Sequence, residues 1–314
     1  IDDIIIIDNC STDQTADKIV HFFKHNADAK WSFYQTNKNA LGDSRNFALR
    51  KVRDSQWICY VDADSYLQSD WLENHIRNFH QLSVDRPALA AVGGANRLPE
   101  INDKSRAINF SLKSFLGHGG SAQGEIPAEP LRKNHIATAN GLFCVKALRQ
   151  VGGFSSIQVG EDFDLGVRLV KKGYSLYLCP EPVCHNDCLD RPGSWSRRMF
   201  RFGFFGGAYF LHGKNIHLPV LGSLLFPAFI VLSIQFPVLL GLYLATVIGE
   251  SMRSVGGGNC HYGPAVVGVM LSTHLYYCLG VYLGMAAYLM GRHELSATDQ
   301  HEPFEARLIS IVKA

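Results

Sequence analysis

Apolar and polar positions alternate in blocks along the first part of the chain, and the blocks predict strand, then helix, repeatedly. Four isoleucines between Asp3 and Asp8 read as a short strand buried on both faces of a parallel sheet. The cluster Asp8-Asn-Cys-Ser-Thr-Asp13 that follows is rich in helix N-cap residues, and Ala16, Ile19, Val20 and Phe23 then recur at helical spacing. Residues 31–35 alternate as a second strand, and residues 37–46 form a loop that runs into a helix through Phe47, Ala48, Leu49 and Val52. A third strand covers residues 57–61. Residues 89–94 and 175–178 read as further strands, and Leu165, Leu169 and Val170 continue a helix opened at Glu161. This alternation predicts an open α/β sheet flanked by helices, whose ligands bind at the carboxyl ends of the strands.

The pattern changes beyond residue 193. Residues 194–210 mix Trp195, Phe200, Phe202, Phe204, Phe205, Tyr209 and Phe210 with Arg197, Arg198 and Arg201, the composition of an interfacial amphipathic helix. Residues 218–249 then contain no Asp, Glu, Lys, Arg or His, and His274 alone interrupts residues 262–291. Each run exceeds the roughly 20 residues that cross a bilayer core, and neither holds two spans of about 17 residues with a turn. Two transmembrane helices are therefore expected, the first kinked or tilted at Pro227 and Pro237 or preceded by a shallow interfacial entry; buried core helices of a soluble protein are the alternative. The organisation that follows is a catalytic-type domain over 1–193, an interfacial segment over 194–217, two membrane helices within 218–291, and a tail over 292–314. Arg197, Arg198, Arg201 and Lys214 precede the first span and Arg292 follows the second, while the intervening loop offers only Arg253, balanced by Glu250. The positive-inside rule then places both ends in the cytoplasm, on the inner face of the cell membrane.

Composition sharpens this in three places. A mean hydropathy of +0.01 is high for a soluble chain and comes from the two apolar runs. The net charge of +2 over 314 residues gives no reason to expect a nucleic-acid partner. Eight cysteines in a cytoplasmic chain are expected to be free thiols, and Cys179, Cys184, His185 and Cys188 match no regular zinc spacing.

The chemistry concentrates at Asp62-Ala-Asp64, at the end of the third strand. If strand geometry persists, the two carboxylates share a face, and two hard oxygen ligands side by side suit Mg²⁺ or Mn²⁺ on a diphosphate. Asp is also a common turn residue, so the pair alone leaves a plain turn open. Arg45, near a helix start, reads as a ligand for a phosphate or base or as a solvated cation. The acids of Gly160-Glu-Asp-Phe-Asp164 read as catalytic groups or as a cluster stabilised by a helix dipole. Residues 117–124 form a Gly/Ser-rich loop, a lid or an ordinary surface loop.

Taken in order, Asp8-Asn-Cys-Ser-Thr-Asp-Gln-Thr15, residues 37–46, Asp62-Ala-Asp-Ser65, Gly152-Gly-Phe154 and Glu161-Asp162 strongly resemble the family 2 glycosyltransferases over residues 1–213. The tail, with Arg201-Phe-Gly203 before apolar spans, is most similar to the membrane-bound members related to the succinoglycan ExoA protein. The resemblance implies a GT-A fold, an open mixed sheet whose first strand precedes the pattern seen here, so the natural sequence is expected to extend upstream of Ile1. It implies inverting transfer of a sugar from a nucleotide diphosphate-sugar, with UDP-sugar the expected donor, to a membrane-associated glycan or lipid-linked acceptor in polysaccharide biosynthesis. By position, Asp8 would accept a hydrogen bond from the base and Arg45 would lie near base and phosphates. Asp62 would hold ribose or a metal-bound water, and Asp64 would ligate the divalent metal, Mn²⁺ or Mg²⁺. Asp162 of the Glu161-Asp162 pair would be the general base. The alternatives are a polyprenyl-phosphate glycosyltransferase and a non-catalytic membrane scaffold that binds nucleotide sugar.

Overall fold

The computed structural model describes residues 3–25, 30–37, 41–120, 126–157, 159–186, 193–212, 218–291 and 305–312. Its elements run β1 (Ile4–Asp8), α1 (Thr15–His25), β2 (Trp31–Thr36), α2 (Leu41–Lys51), β3 (Trp57–Tyr60), β4 (Ser65–Tyr66), α3 (Trp71–Ser83), β5 (Leu89–Gly93), β6 (Asn96–Arg97), α4 (Asp103–Ser111), α5 (Phe115–His118) and β7 (Leu131–Lys133). There follow β8 (Gly141–Cys144), α6 (Val145–Gln150), α7 (Glu161–Lys171), β9 (Ser175–Leu178), β10 (Cys184–Asn186), α8 (Ser194–Leu211), α9 (Leu218–Gln235), α10 (Pro237–Val255), α11 (Gly263–Leu289) and β11 (Ala306–Val312).

The strands form three sheets. A central five-stranded sheet has the order β3-β8-β5-β9-β7, mixed, with β5 and β9 parallel. A second has the order β1-β2-β11, and a third, short one the order β4-β10-β6. The α/β architecture with flanking helices is as expected, but the sheet is divided. Among the described residues β1 pairs only with β2, and β3 pairs only with β8, so both are edges. That explains why Ile4 to Ile7 are half-buried rather than covered on both faces, and α1 buries no residue at all against them. The core sits on the central sheet, where Phe143, Leu148, Leu165, Leu169, Leu176 and Leu178 are almost completely buried. β5 is buried along its length, and its run of small residues lets α3 and the opposite layer approach.

Two features of the C-terminal part depart from the sequence reading. Among the described residues three helices, not two, are long and apolar enough to cross a membrane: α9, α10, and residues 257–289. Pro237 starts α10 with only Phe236 between it and the end of α9, and α10 runs on past Glu250 and Arg253, which supplies the length the uncharged run alone lacked. The tail expected over 292–314 also holds a strand, β11, laid antiparallel on β2.

Helix α8 is fastened to α11 by glycines. A Cβ at Gly203 or Gly207 would collide with the backbone at Tyr277 or Val281, and one at Gly280 or Gly284 with the backbone at Phe200 or Phe204. Each helix thus carries a Gly-x-x-x-Gly pair at the seam, the pattern that lets helix backbones touch in apolar surroundings.

Candidate active site

Three segments meet at the carboxyl end of β3. The strand stops at Tyr60, and Asp62 enters a turn in which Ser65 N–H donates to the Asp62 carbonyl at 3.0 Å. Strand geometry therefore does not extend to the acids, contrary to the sequence expectation, because the backbone reverses into β4. Burial pushes the Cys184 thiol on β10 upward against a hydrogen bond with Ser65, and the charges of Asp62 and Asp64 add to the rise. Asp64 is exposed and accepts no hydrogen bond among the described residues.

Helix α2 contributes Arg45, 6% exposed. One guanidinium nitrogen, Nη1, donates to Glu161 Oε1, and Nη2 donates to Asp62 Oδ1 at 3.1 Å. The Phe154 ring lies 5.5 Å from the guanidinium carbon, and Tyr60 hydroxyl donates to the Arg45 carbonyl at 3.3 Å. The next residue, Asn46, accepts from Phe154 N–H at 2.7 Å and donates to Phe154 carbonyl at 2.8 Å. That clamp fixes the turn through Gly152 and Gly153, whose φ of +80° and +73° are left-handed, against α2. A Cβ at Gly153 would strike Asn46 Oδ1.

Helix α7 contributes the acids. Gly160, at φ +83°, ends the preceding loop, and Glu161, Asp162 and Asp164 fill the first turn, where exposed N–H groups favour anions. Asp162 Oδ1 accepts from Phe163 N–H at 2.7 Å. Burial pushes Asp162 above the usual carboxylate range, with Arg45 pulling the other way. Burial, with the charge of Asp162, likewise raises Glu161 against the pull of Arg45. Packed so closely, the pair binds protons more readily than two free carboxylates would.

Of the residues singled out in the sequence, Arg45, Asp62, Glu161 and Asp162 line one cavity of about 1150 Å³, and Asp64 stands two residues from its wall. Asp8 is set apart. It is buried at the end of β1, where its carboxylate accepts from Ser11 N–H at 3.1 Å and Gln35 Nε2 at 3.0 Å. Among the described residues it is linked to the rest through the hydrogen bond from Ser44 to its neighbour Asn9. Cys188 and residues 38–40 and 121–125 lie outside the described residues, and the cysteines that are described are free.

Sequence reasoning missed the groups that hold α7 in place. Asp164 accepts from Arg168 Nε at 2.8 Å and from the hydroxyl of Tyr209, on α8, at 2.8 Å. Burial works against it, but Arg168, Ser155 and Tyr209 hold its carboxyl below the usual range. The ring of Tyr209 also meets Phe163 edge-on, with centroids 6.1 Å apart. The spacing of Asp164 and Arg168 was a visible signal, whereas Tyr209 was hidden in an aromatic run that read as membrane-facing. The far wall of the cavity comes from Arg198 and Phe202 on α8, Ser223 and Phe226 on α9, Tyr243 on α10, and His274 and Tyr277 on α11.

A divalent metal is implied by the paired aspartates. Among the described residues no cluster of three or more His, Cys, Asp and Glu side chains could hold a metal. The donor set still fits a hard cation that takes its other ligands from water and a diphosphate: Asp64 is unengaged and Asp62 has one oxygen beyond the one on Arg45.

Residues 1–123 match the family model for glycosyl transferase family 2. The dolichyl N-acetyl-alpha-D-glucosaminyl phosphate 3-beta-D-2,3-diacetamido-2,3-dideoxy-beta-D-glucuronosyltransferase of Methanococcus voltae is 26% identical over 184 residues, covering 58% of this chain and 56% of that protein. The poly-beta-1,6-N-acetyl-D-glucosamine synthase of Staphylococcus epidermidis is 28% identical over 189 residues, covering 58% of this chain and 42% of that protein. The chain thus spans about half the length of the curated relatives it matches. Among solved structures, the mannosyltransferase PcManGT from Pyrobaculum calidifontis, in complex with GDP-Man and Mn²⁺, superposes with a TM-score of 0.55 at 17% identity over 93% of this chain and 79% of that one. That likeness is one of fold, and the fold is of the GT-A type.

Proposed function

We propose that the chain, whose residues 1–123 match the family 2 glycosyltransferase model and whose fold is of the GT-A type, is a membrane-anchored, metal-dependent, inverting glycosyltransferase. It would take a sugar from a nucleotide diphosphate-sugar, with UDP the nucleotide, and pass it to a membrane-associated glycan in polysaccharide or glycoconjugate synthesis. One observation carries this reading. A single cavity has Arg45, Asp62, Glu161 and Asp162 at one end and the apolar helices α9, α10 and α11 at the other, so a donor and a lipid-borne acceptor can meet at the acids.

The roles follow from the chemistry. Asp162 takes the acceptor's hydroxyl proton as that oxygen bonds to the anomeric carbon, and the bond from that carbon to the diphosphate breaks on the opposite side. Burial favours this, since a carboxylate lifted above its ordinary range is a stronger base. Glu161 and Arg45 hold the α7 terminus against Asp62, and Arg45 offers a cation close to where the diphosphate would lie. Asp64 and Asp62 would hold Mn²⁺ or Mg²⁺, which when bound neutralises charge on the departing diphosphate. Asp8 would accept from the base once its present partners are exchanged. The domain faces the cytoplasm at the cell membrane in this reading, where nucleotide sugars are made.

The test is a panel of nucleotide sugars offered with Mn²⁺ or Mg²⁺ and membrane lipid extract, reading release of nucleotide diphosphate. Asp162→Asn should abolish turnover while donor binding survives; full turnover in that variant would rule Asp162 out as the base, whereas no turnover in the wild type, with cellular function intact in the variant, would favour a silent scaffold. Arg132, Lys133, Lys171 and Arg198 on the cavity wall favour a second reading, transfer to a bare polyprenyl phosphate, because they set cations beside an apolar wall. Product analysis separates the two acceptors.

A further inference from the structure

The sequence pattern put one span within residues 218–249 and another within 262–291, which would leave the linker between them on the far side of the membrane from the catalytic domain. Contacts on both sides of that linker point elsewhere. Near the end of α10, Glu250 Oε2 accepts from Ser114 Oγ at 2.7 Å. At the start of α11, the Tyr262 hydroxyl accepts from Arg106 Nη1 at 2.9 Å and donates to Asp103 Oδ1 at 3.0 Å, with its ring 5.5 Å from that of Phe110. Ser114, Arg106, Asp103 and Phe110 all belong to the segment carrying α4 and α5, in the catalytic domain.

The other ends return to the same body. Pro219 at the start of α9 faces Gly119, since a Cβ there would come within 2.8 Å of Pro219 Cγ. Midway along α11, His274 Nε2 lies 2.8 Å from the Leu116 carbonyl, and near its end Tyr288 meets His212, just past the end of α8, at 3.3 Å. Beyond α11 the chain pairs β11 with β2. A chain that leaves a domain and rejoins its sheet has crossed any bilayer an even number of times, so three spanning helices cannot all cross.

Among the described residues, the apex between α9 and α10 lies clear of these contacts. There Ile234, Phe236 and Val238 are 77%, 55% and 66% exposed, and no charged residue lies within the hairpin before Glu250. The two helices hold 18 and 19 residues, so at about 1.5 Å per residue each reaches close to the ~30 Å of a hydrocarbon core. Helix α11, by contrast, packs its first half on α4 and α10 and its second on α8, and exposes one face through Leu275, Tyr276, Leu279, Tyr282 and Leu283, with Leu289 at its end.

We infer that the α9–α10 hairpin is the membrane-inserted element, entering the bilayer from the catalytic domain's side and returning to it, while α11 lies along the domain with that exposed face against the surface. The linker around Cys260 then faces the same compartment as the catalytic domain. This rests on the membrane association proposed above, but not on the reaction.

Native Cys260, which is exposed, provides the probe. Full-length protein in sealed vesicles of either orientation is treated with a membrane-impermeant maleimide, and peptide mapping reads which thiols react. Lys146→Cys, on an exposed position of α6, marks the catalytic side, and Cys260→Ser identifies the signal. Cys260 should label in the same vesicle orientation as the Lys146→Cys marker, and Phe236→Cys should resist reagent from that side. Labelling of Cys260 only from the opposite side, protection of Cys260 until the membrane is dissolved, or ready reaction of Phe236→Cys from the catalytic side would each overturn the inference. Sedimentation is the separate control: a chain that does not pellet with membranes removes the membrane association itself.

Discussion

Replacing Arg45 by Gln tests the centre of the site most directly. Arg45 is 6% exposed and Glu161 is 7% exposed, so Arg45→Gln strands a carboxylate in a place where water cannot compensate it. Breaking a buried pair from one side costs about 3–5 kcal/mol. The contact to Asp62, whose side chain is 40% exposed, adds less because solvent screens it. At roughly 2–4 °C per kcal/mol for a domain of this size, the apparent Tm in detergent should fall by roughly 6–20 °C at pH 8. The loss should depend on pH with a definite sign. Glu161 is an acid whose folded pKa lies above its ordinary value, so the folded state takes up its proton first. Its destabilising charge is fully present above the folded pKa and disappears as pH falls toward the ordinary carboxylate range. The gap between variant and wild type should therefore narrow at pH 5.5, and Arg45→Gln combined with Glu161→Gln should recover much of the loss. Thermal unfolding followed at both pH values decides it: no loss at pH 8, or an equal loss at both, refutes the reasoning.

Other consequences can be measured on the same preparation. With Asp162 as base and its carboxyl raised by burial, kcat should decline on acidification at a pH above the ordinary Asp range, and a limb at or below it would exclude that assignment. Tyr209→Phe keeps the ring on Phe163 but removes the hydroxyl from Asp164, so the α7 terminus loosens; transfer kcat should drop about tenfold while the KM for donor stays near wild type. Gly203→Leu forces a side chain into the Tyr277 backbone, and a loss of about 1–3 kcal/mol, read as a lower apparent Tm, is expected from overpacking alone.

How much of this could be read beforehand depends on where the information sits. The strands of the core and the helix of Glu161 were visible because their periodicity is local, and β2, β3, β5 and β9 lie within a residue of the expected bounds. The order Arg45, Asp62, Glu161 was readable, but not that one guanidinium would join both acids, with Glu161 116 residues away along the chain, since such pairing is set by packing. The membrane region misled for a specific reason. Counting uncharged residues treats Glu250 as the end of a helix, whereas Ser114 accommodates its carboxylate and the helix continues. Nothing in the pattern of residues 306–312 says which strand they join. Their partner, β2, lies at the other end of the chain, and only a folded sheet with a vacant edge selects it.

That last strand also sets an order of events during synthesis. The edge of β2 that takes β11 is made when Thr36 leaves the ribosome, yet Ala306 follows about 270 residues later. At ~5–20 residues per second the delay is roughly 15–50 s. Throughout it, a strand edge rich in aromatic side chains stands unpaired, the kind of template that recruits other chains. The apolar hairpin emerges inside this interval. With the hairpin as the proposed membrane-inserted element, its delivery would precede completion of the sheet, and a nascent chain held back from the bilayer would carry both hazards at once.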